Sequence, residues 1–130
     1  MKEMEFKIIV GWIMAFFSYY LGGFDMALKS LVMAMVIDYI TGLLRAGYHK
    51  ELNSKIGFKG IIKKLMYFAL VAFGTWLDNV VGAGGILRET LIFFFIANEG
   101  LSILENYGSC GFPMPEFLKE KLMQLKDGRK

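Results

Sequence analysis

Apolar residues run along this chain in four long blocks, with polar and charged residues gathered between them. The blocks cover residues 6–21 (FKIIVGWIMAFFSYYL), 26–44 (MALKSLVMAMVIDYITGLL), 61–81 (IIKKLMYFALVAFGTWLDNVV) and 87–104 (LRETLIFFFIANEGLSIL). A helix needs about 20 mostly apolar residues to cross a hydrocarbon core ~30 Å thick. The middle two blocks meet that length, and the first and last lie at its short end. Gly22-Gly23, a basic stretch over 45–60 and the glycine-rich 81–85 separate them, each a signal for a helix stop or turn. Residues 13–17 and 93–96 leave no polar face at a helical period, which places such a helix inside a large protein or in lipid. A chain of 130 residues is too short to bury four of them in itself. The pattern therefore predicts an all-α integral membrane protein, a single domain over 1–130 with four transmembrane helices, rather than a soluble bundle with a greasy core. The first block lacks a small-residue cleavage pattern and is followed by another span, so no cleavable signal peptide is expected.

Composition narrows the class further. With 55% hydrophobic residues, 12 Phe and 9 Met, the chain is not a disordered one. Cys110 is the only cysteine, which excludes a disulfide-stapled secreted domain. The net charge of +3 is a modest basic excess, and its placement matters more than its size. Lys2 and Lys7 precede or open the first block. Arg45, Lys50, Lys55 and Lys59 occupy the second connection, and Lys119, Lys121, Lys126, Arg129 and Lys130 the tail. With four spans every basic cluster falls on the cytoplasmic side, so both termini are expected inside and the bilayer, not nucleic acid, is the expected partner. A three-span alternative, with the short, Lys7-bearing first block lying on the membrane, remains open.

Several ionisable groups fall inside the blocks, where a charge at mid-membrane costs about 3 kcal/mol and normally finds a partner or water. Asp38 and the Asn98-Glu99 pair come at similar depths in the second and fourth spans, within reach of Lys63 and Lys64 at the start of the third. Asp78, Lys29, Arg88 and Glu89 collect towards the outer boundary. Asn98, Ser102, Glu105 and Asn106 recur at three- and four-residue steps, forming one polar ridge along the fourth span. These groups either fix helix register as buried ion pairs, with lysines snorkelling, or drive self-association or line a hole. Asp38, Asn98, Glu99, Ser102, Glu105 and Asn106 are thus the candidate pore or oligomer stripe, with Lys63, Lys64, Asp78 and Arg88 as charge partners. Gly42 and Ala46 offer a small-residue packing step, as do Gly11 with Ala15 and Ser30 with Ala34.

Other chemistry is sparse. Gly82, Gly84 and Gly85 are not followed by a Lys-Ser/Thr pair, so no nucleotide loop is expected. His49 is the only histidine and lies far from Cys110, which leaves no metal site, no catalytic set and no cofactor to expect. Intramembrane carboxylates leave proton transfer as the one chemistry available. Residues 108–115 break the chain with two glycines and two prolines. Beyond them 115–130 places Phe117, Leu118, Leu122 and Leu125 at helical spacing, a cytoplasmic amphipathic tail suited to the inner leaflet or to a partner.

Five pieces then occur in order: Asp38-Tyr39-Ile40-Thr41-Gly42, Asn53-Ser54-Lys55 to Gly60 with Lys63-Lys64, Asp78, the NEGLSILEN stretch from Asn98 to Asn106, and Gly111-Phe112-Pro113-Met114-Pro115. Together they resemble the toxin-secretion and phage-lysis holin family of Gram-positive bacteria and their phages. The resemblance runs from about Val32 to Leu125. It implies a small protein that accumulates in the bacterial cytoplasmic membrane and self-assembles into large holes, through which a cell-wall hydrolase (an endolysin) or a toxin passes as cargo. It implies no catalytic residues. Met1 and Met4 resemble the paired starts of some holins. Two other classes stay open beside it: a small ion or proton channel or transporter subunit using Asp38 and Glu99, and a membrane scaffold that does not permeabilise.

Overall fold

A computed structural model describes residues 2–127, so Met1 of the paired starts and residues 128–130 of the tail lie outside the described residues. The described chain is all helical: α1 (Lys2–Tyr20), α2 (Met26–Tyr48), α3 (Ser54–Val81), α4 (Ile86–Ser109) and α5 (Glu116–Asp127). The first four helices coincide with the four apolar blocks but run past them. Hydrogen bonding does not stop where polarity changes; it stops where a cap ends it. Asp25 caps α2 by accepting from the Leu28 N–H, and Asn53 caps α3 by accepting from the Ile56 N–H, both at 3.0 Å. The Asn53 cap starts α3 seven residues ahead of the block at 61. Gly82, left-handed at φ 69°, closes α3 with its N–H on the Asp78 carbonyl. After α4, Gly111 at φ 87° and then Pro113 and Pro115 turn the chain into α5.

Connections of four or five residues join α1 to α2, α2 to α3 and α3 to α4, which makes successive helices antiparallel. α4 is the central element. It packs along α2 and α3 and also meets α5, whereas α2 and α3 touch each other little and, among the described residues, α1 packs against α3 alone of the helices. The apolar core is accordingly thin: Leu28, Leu31 and Met35 from α2, Tyr67 and Val71 from α3, Ile92 and Phe95 from α4, with Leu21 at one end.

What surrounds that core is the reverse of a water-soluble surface. Trp12 is 75% exposed, Phe6 67%, Trp76 59% and Phe93 57%, while Glu99 is 0% exposed. Asp38, Asp78, Arg88 and Asn106 are buried as well. Charged side chains are the ones that normally stay outside unless paired, and contiguous apolar surface on this scale marks contact with lipid or protein. Among the described residues, one helix, Met26–Tyr48, is both long enough and apolar enough to cross a membrane by length and composition. α1, α3 and α4 have 19, 28 and 24 residues. At a rise of about 1.5 Å per residue each spans roughly 30 Å or more. Charges dilute them: Lys2, Glu3, Glu5 and Lys7 at the start of α1, the lysines and Asp78 of α3, and Arg88, Glu89, Glu99 and Glu105 of α4.

Candidate functional site

Two polar networks lie inside the bundle, one near each end. The inner one is built on α2, α3 and α4. Asp38 lies one turn after Met35 on the buried face of α2, and Glu99 lies four residues after Phe95 on that of α4, so the helical repeat carries both inward. Lys64 reaches them from α3, its Nζ 2.8 Å from Asp38 Oδ2 and 3.2 Å from Glu99 Oε1. Asn106 Nδ2 donates to Asp38 Oδ1 (3.2 Å), to the Asp38 carbonyl (3.3 Å) and to Thr41 Oγ1 (2.9 Å). Arg45 donates to Asn106 Oδ1 at 3.4 Å. Glu99 Oε2 is, among the described residues, the one buried side-chain oxygen or nitrogen with no hydrogen-bond partner. Just before Glu99 in α4, Asn98 Nδ2 donates to the Tyr67 hydroxyl, and the Tyr67 ring stacks on Phe95 with centroids 4.2 Å apart.

The outer network is organised by Arg88. Its guanidinium donates to Asp25 through both terminal nitrogens (2.9 and 3.1 Å), to the Gly23 carbonyl (2.9 Å) and through Nε to the Leu21 carbonyl. These bonds tie the α1–α2 turn to the start of α4. The Arg88 hydrogen bonds, seconded by the Leu28 N–H, hold the Asp25 carboxyl below its ordinary value of 3.8 against the opposing effect of burial. Gly22 sits in the turn at φ +84°, and a Cβ there would come within 2.5 Å of Arg88 Nε. Only glycine combines that backbone with that approach. Asp78 has a different task. It accepts from the Leu87 and Arg88 N–H groups, both at 2.9 Å, and so caps α4 from the neighbouring helix, where Gly85 at the N-cap position supplies no side chain.

The structure thus brings together Asp38, Glu99, Asn106 and Lys64, and holds Asn98 beside them. Ser102 is half-buried at the edge of the network, and Glu105 is exposed. Lys63 is also exposed and stands over the Tyr67 ring, 5.7 Å from its centroid, rather than on an acid. Arg88 pairs with Asp25, and Asp78 acts on backbone N–H groups rather than on a cation. Gly42 faces Asn106 on α4, and Ala46 is buried one turn on. A closer approach lies elsewhere: a Cβ on Gly74 would meet Leu91 Cδ1 at 2.7 Å, so α3 and α4 touch there through a bare backbone. Sequence reasoning passed over Asp25, Tyr67 and Gly74, and it met Thr41 only as part of the Asp38-to-Gly42 piece. Asp25 alone carried a usable signal, an acid directly before an apolar helix. Among the described residues no group of three or more His, Cys, Asp or Glu is placed to hold a metal ion.

A family model described as the bacteriophage holin family matches residues 15–127. An uncharacterized protein of Listeria monocytogenes is 46% identical over 109 residues, 84% of this chain and 78% of that one. A second, from Listeria innocua, is 44% identical over 121 residues, 93% of this chain and 86% of its own. A probable holin of Bacillus phage phi105 is 34% identical over 103 residues, 79% of this chain and 76% of the phage protein. No solved structure matches.

Proposed function

Because the chain belongs to the bacteriophage holin family, we propose that it oligomerises in the bacterial cytoplasmic membrane and opens holes large enough for an endolysin or toxin to leave. The family is a non-enzymatic one of membrane proteins, and the chemistry asked of this chain is packing and charge burial. In this reading α1 to α4 are four spans and both termini are cytoplasmic. The antiparallel order then puts Arg45, Lys50, Lys55 and Lys59 at the cytoplasmic end, together with α5.

The observation that carries the proposal is the inverted distribution of polarity. Trp and Phe side chains cover the outside, while Asp38, Lys64, Glu99 and Asn106 are folded inwards. That is the form a dispersed resting protein needs in lipid. The same groups supply the drive to assemble: in a larger ring they can face water or a neighbouring subunit instead of one another. A change of a few kcal/mol per chain is enough to move a population from one arrangement to the other.

The test is induced expression in a bacterium with and without a co-expressed wall hydrolase that has no signal sequence, following turbidity and membrane potential. The reading expects abrupt loss of potential in both cultures and lysis only with the hydrolase. A small selective channel would dissipate ions without letting the hydrolase out, and a scaffold would do neither. Asn98→Leu with Glu99→Leu is expected to insert normally but to delay or abolish lysis. Unchanged timing in that variant contradicts a role for the stripe.

A further inference from the structure

Two buried acids share a single cation in the inner network. Lys64 Nζ lies 2.8 Å from Asp38 Oδ2 and 3.2 Å from Glu99 Oε1, so two carboxyl groups and one ammonium leave one negative charge uncompensated. The neighbouring helices do not close the count. On α2, Arg45 donates to Asn106 Oδ1 and, among the described residues, bonds to neither acid. On α3, Lys63 stands over the Tyr67 ring, and the Tyr67 hydroxyl accepts from Asn98. Lys59, the exposed Glu105 and the charged groups of α5 form no ion pair among the described residues.

The two acids are not equally equipped to carry that charge. Both Asp38 oxygens accept, Oδ2 from Lys64 and Oδ1 from Asn106. Glu99 is 0% exposed and accepts at Oε1 alone, over the longer of the two lysine distances, while its buried Oε2 has no partner among the described residues. An ionised carboxylate asks for donors at both oxygens, whereas a carboxylic acid carries its own hydrogen on one. Hydrogen bonds to ionised acceptors are the shorter ones, and two carboxylates sharing a site resist ionising together. Charge thus belongs on Asp38 and hydrogen on Glu99 Oε2. We propose that Glu99 carries a proton in the resting protein and that its release to the cytoplasm commits the chain to assembly.

The resting network is then neutral. This control rests on the hole-forming reading above. A cavity of about 610 Å³, walled by Asp38, Lys64, Ser102 and Asn106 together with Lys59 and Lys63, gives cytoplasmic water access as far as the partner of Glu99. When the proton leaves Oε2 for that water, the carboxylate left behind has no cation of its own. The form in which Glu99 meets water or a neighbouring subunit then becomes the more stable. With one proton released per chain, each rise of one pH unit favours assembly about tenfold, until the resting chain has itself lost the proton.

The test takes the full chain in detergent from mildly acidic to mildly alkaline buffer, following particle size by light scattering and carboxyl groups by infrared spectroscopy. Solvent-exposed acids are ionised at neutral pH, so a carboxylic-acid C=O band there reports a buried proton. The dispersed chain should show that band, and it should shift when the chain is synthesised with isotope-labelled glutamate but not with labelled aspartate. Asp38→Asn, which leaves Lys64 to Glu99 alone, should abolish the band although it removes no glutamate. Assembly should rise with pH in the native chain and equally in His49→Gln, which removes the only histidine, but not in Glu99→Gln. Absence of the band, or a band that follows labelled aspartate, overturns the proposal. Assembly indifferent to pH, or a pH dependence that survives Glu99→Gln, overturns it as well. If the native chain dissipates no potential in cells, the hole-forming reading fails by itself, and the glutamate band of the dispersed chain still decides where the proton sits.

Discussion

Lys64 on α3 places its ammonium 2.8 Å from Asp38 on α2, and the same nitrogen lies 3.2 Å from Glu99 on α4. One cation thereby joins three helices whose apolar contacts are few. Removing a partner from a buried pair costs about 3–5 kcal/mol, because the remaining charge loses its compensation. Lys64→Met is therefore expected to lower the melting temperature in detergent and to bring permeabilisation forward, since the resting arrangement no longer hides its acids. Lys64→Arg keeps the charge and should restore most of the delay. Onset of potential loss after induction, compared across the two variants, checks this. Identical timing for Met and the native lysine contradicts it.

Asp25 gives the outer end a dependence on pH. Its carboxyl is held below its ordinary value, so the folded state binds the proton less readily than the unfolded chain does. The stability this contributes is complete above the ordinary carboxylate value, and it is lost as pH falls through the lowered folded value. Melting in detergent from pH 7 downwards, for the native chain and Asp25→Asn, should show a small gap that holds down to the carboxylate range and then closes. The gap is small because Asp25 is half exposed. A gap that widens on acidification contradicts the assignment.

The topology can be read with one thiol. Cys110 follows α4 at the cytoplasmic end in the four-span reading. A membrane-impermeant maleimide should leave it unmodified in intact cells and react once the membrane is permeabilised. In a Cys110→Ser background, Met4→Cys should behave the same way, since both ends are inside. Labelling of that N-terminal thiol in intact cells would instead favour three spans, with α1 off the bilayer path.

Much of this arrangement is legible in the order of residues. Block lengths fix four helices, and counting along them sets Asp38 and Glu99 at one depth. What counting does not resolve is azimuth. Lys63 and Lys64 are neighbours in sequence, yet about 100° of helical rotation separates them, so one stands outside over Tyr67 and the other bridges the acids. Glu105 and Asn106 part in the same way, the first exposed and the second buried. The Arg88–Asp25 pair was illegible for another reason: its members lie 63 residues apart and meet only because a glycine turn returns the chain. Asp78 reads as a charge in sequence and proves to be a cap, because its partners are backbone groups that carry no residue signature.

The central claim is that residues folded inwards in the resting protein come to face water when holes form. Ser102 reports on it, half-buried on α4 beside the cavity that the inner network borders. In a Cys110→Ser background, cells expressing Ser102→Cys would be treated with a small water-soluble maleimide before and after the loss of membrane potential. Phe93→Cys, on the exposed apolar face, serves as the lipid-facing control. The account predicts that the thiol at 102 is protected before the transition and modified after it, while the thiol at 93 stays unmodified throughout. Protection at 102 after the cells have been permeabilised, or equal modification at both times, would contradict it.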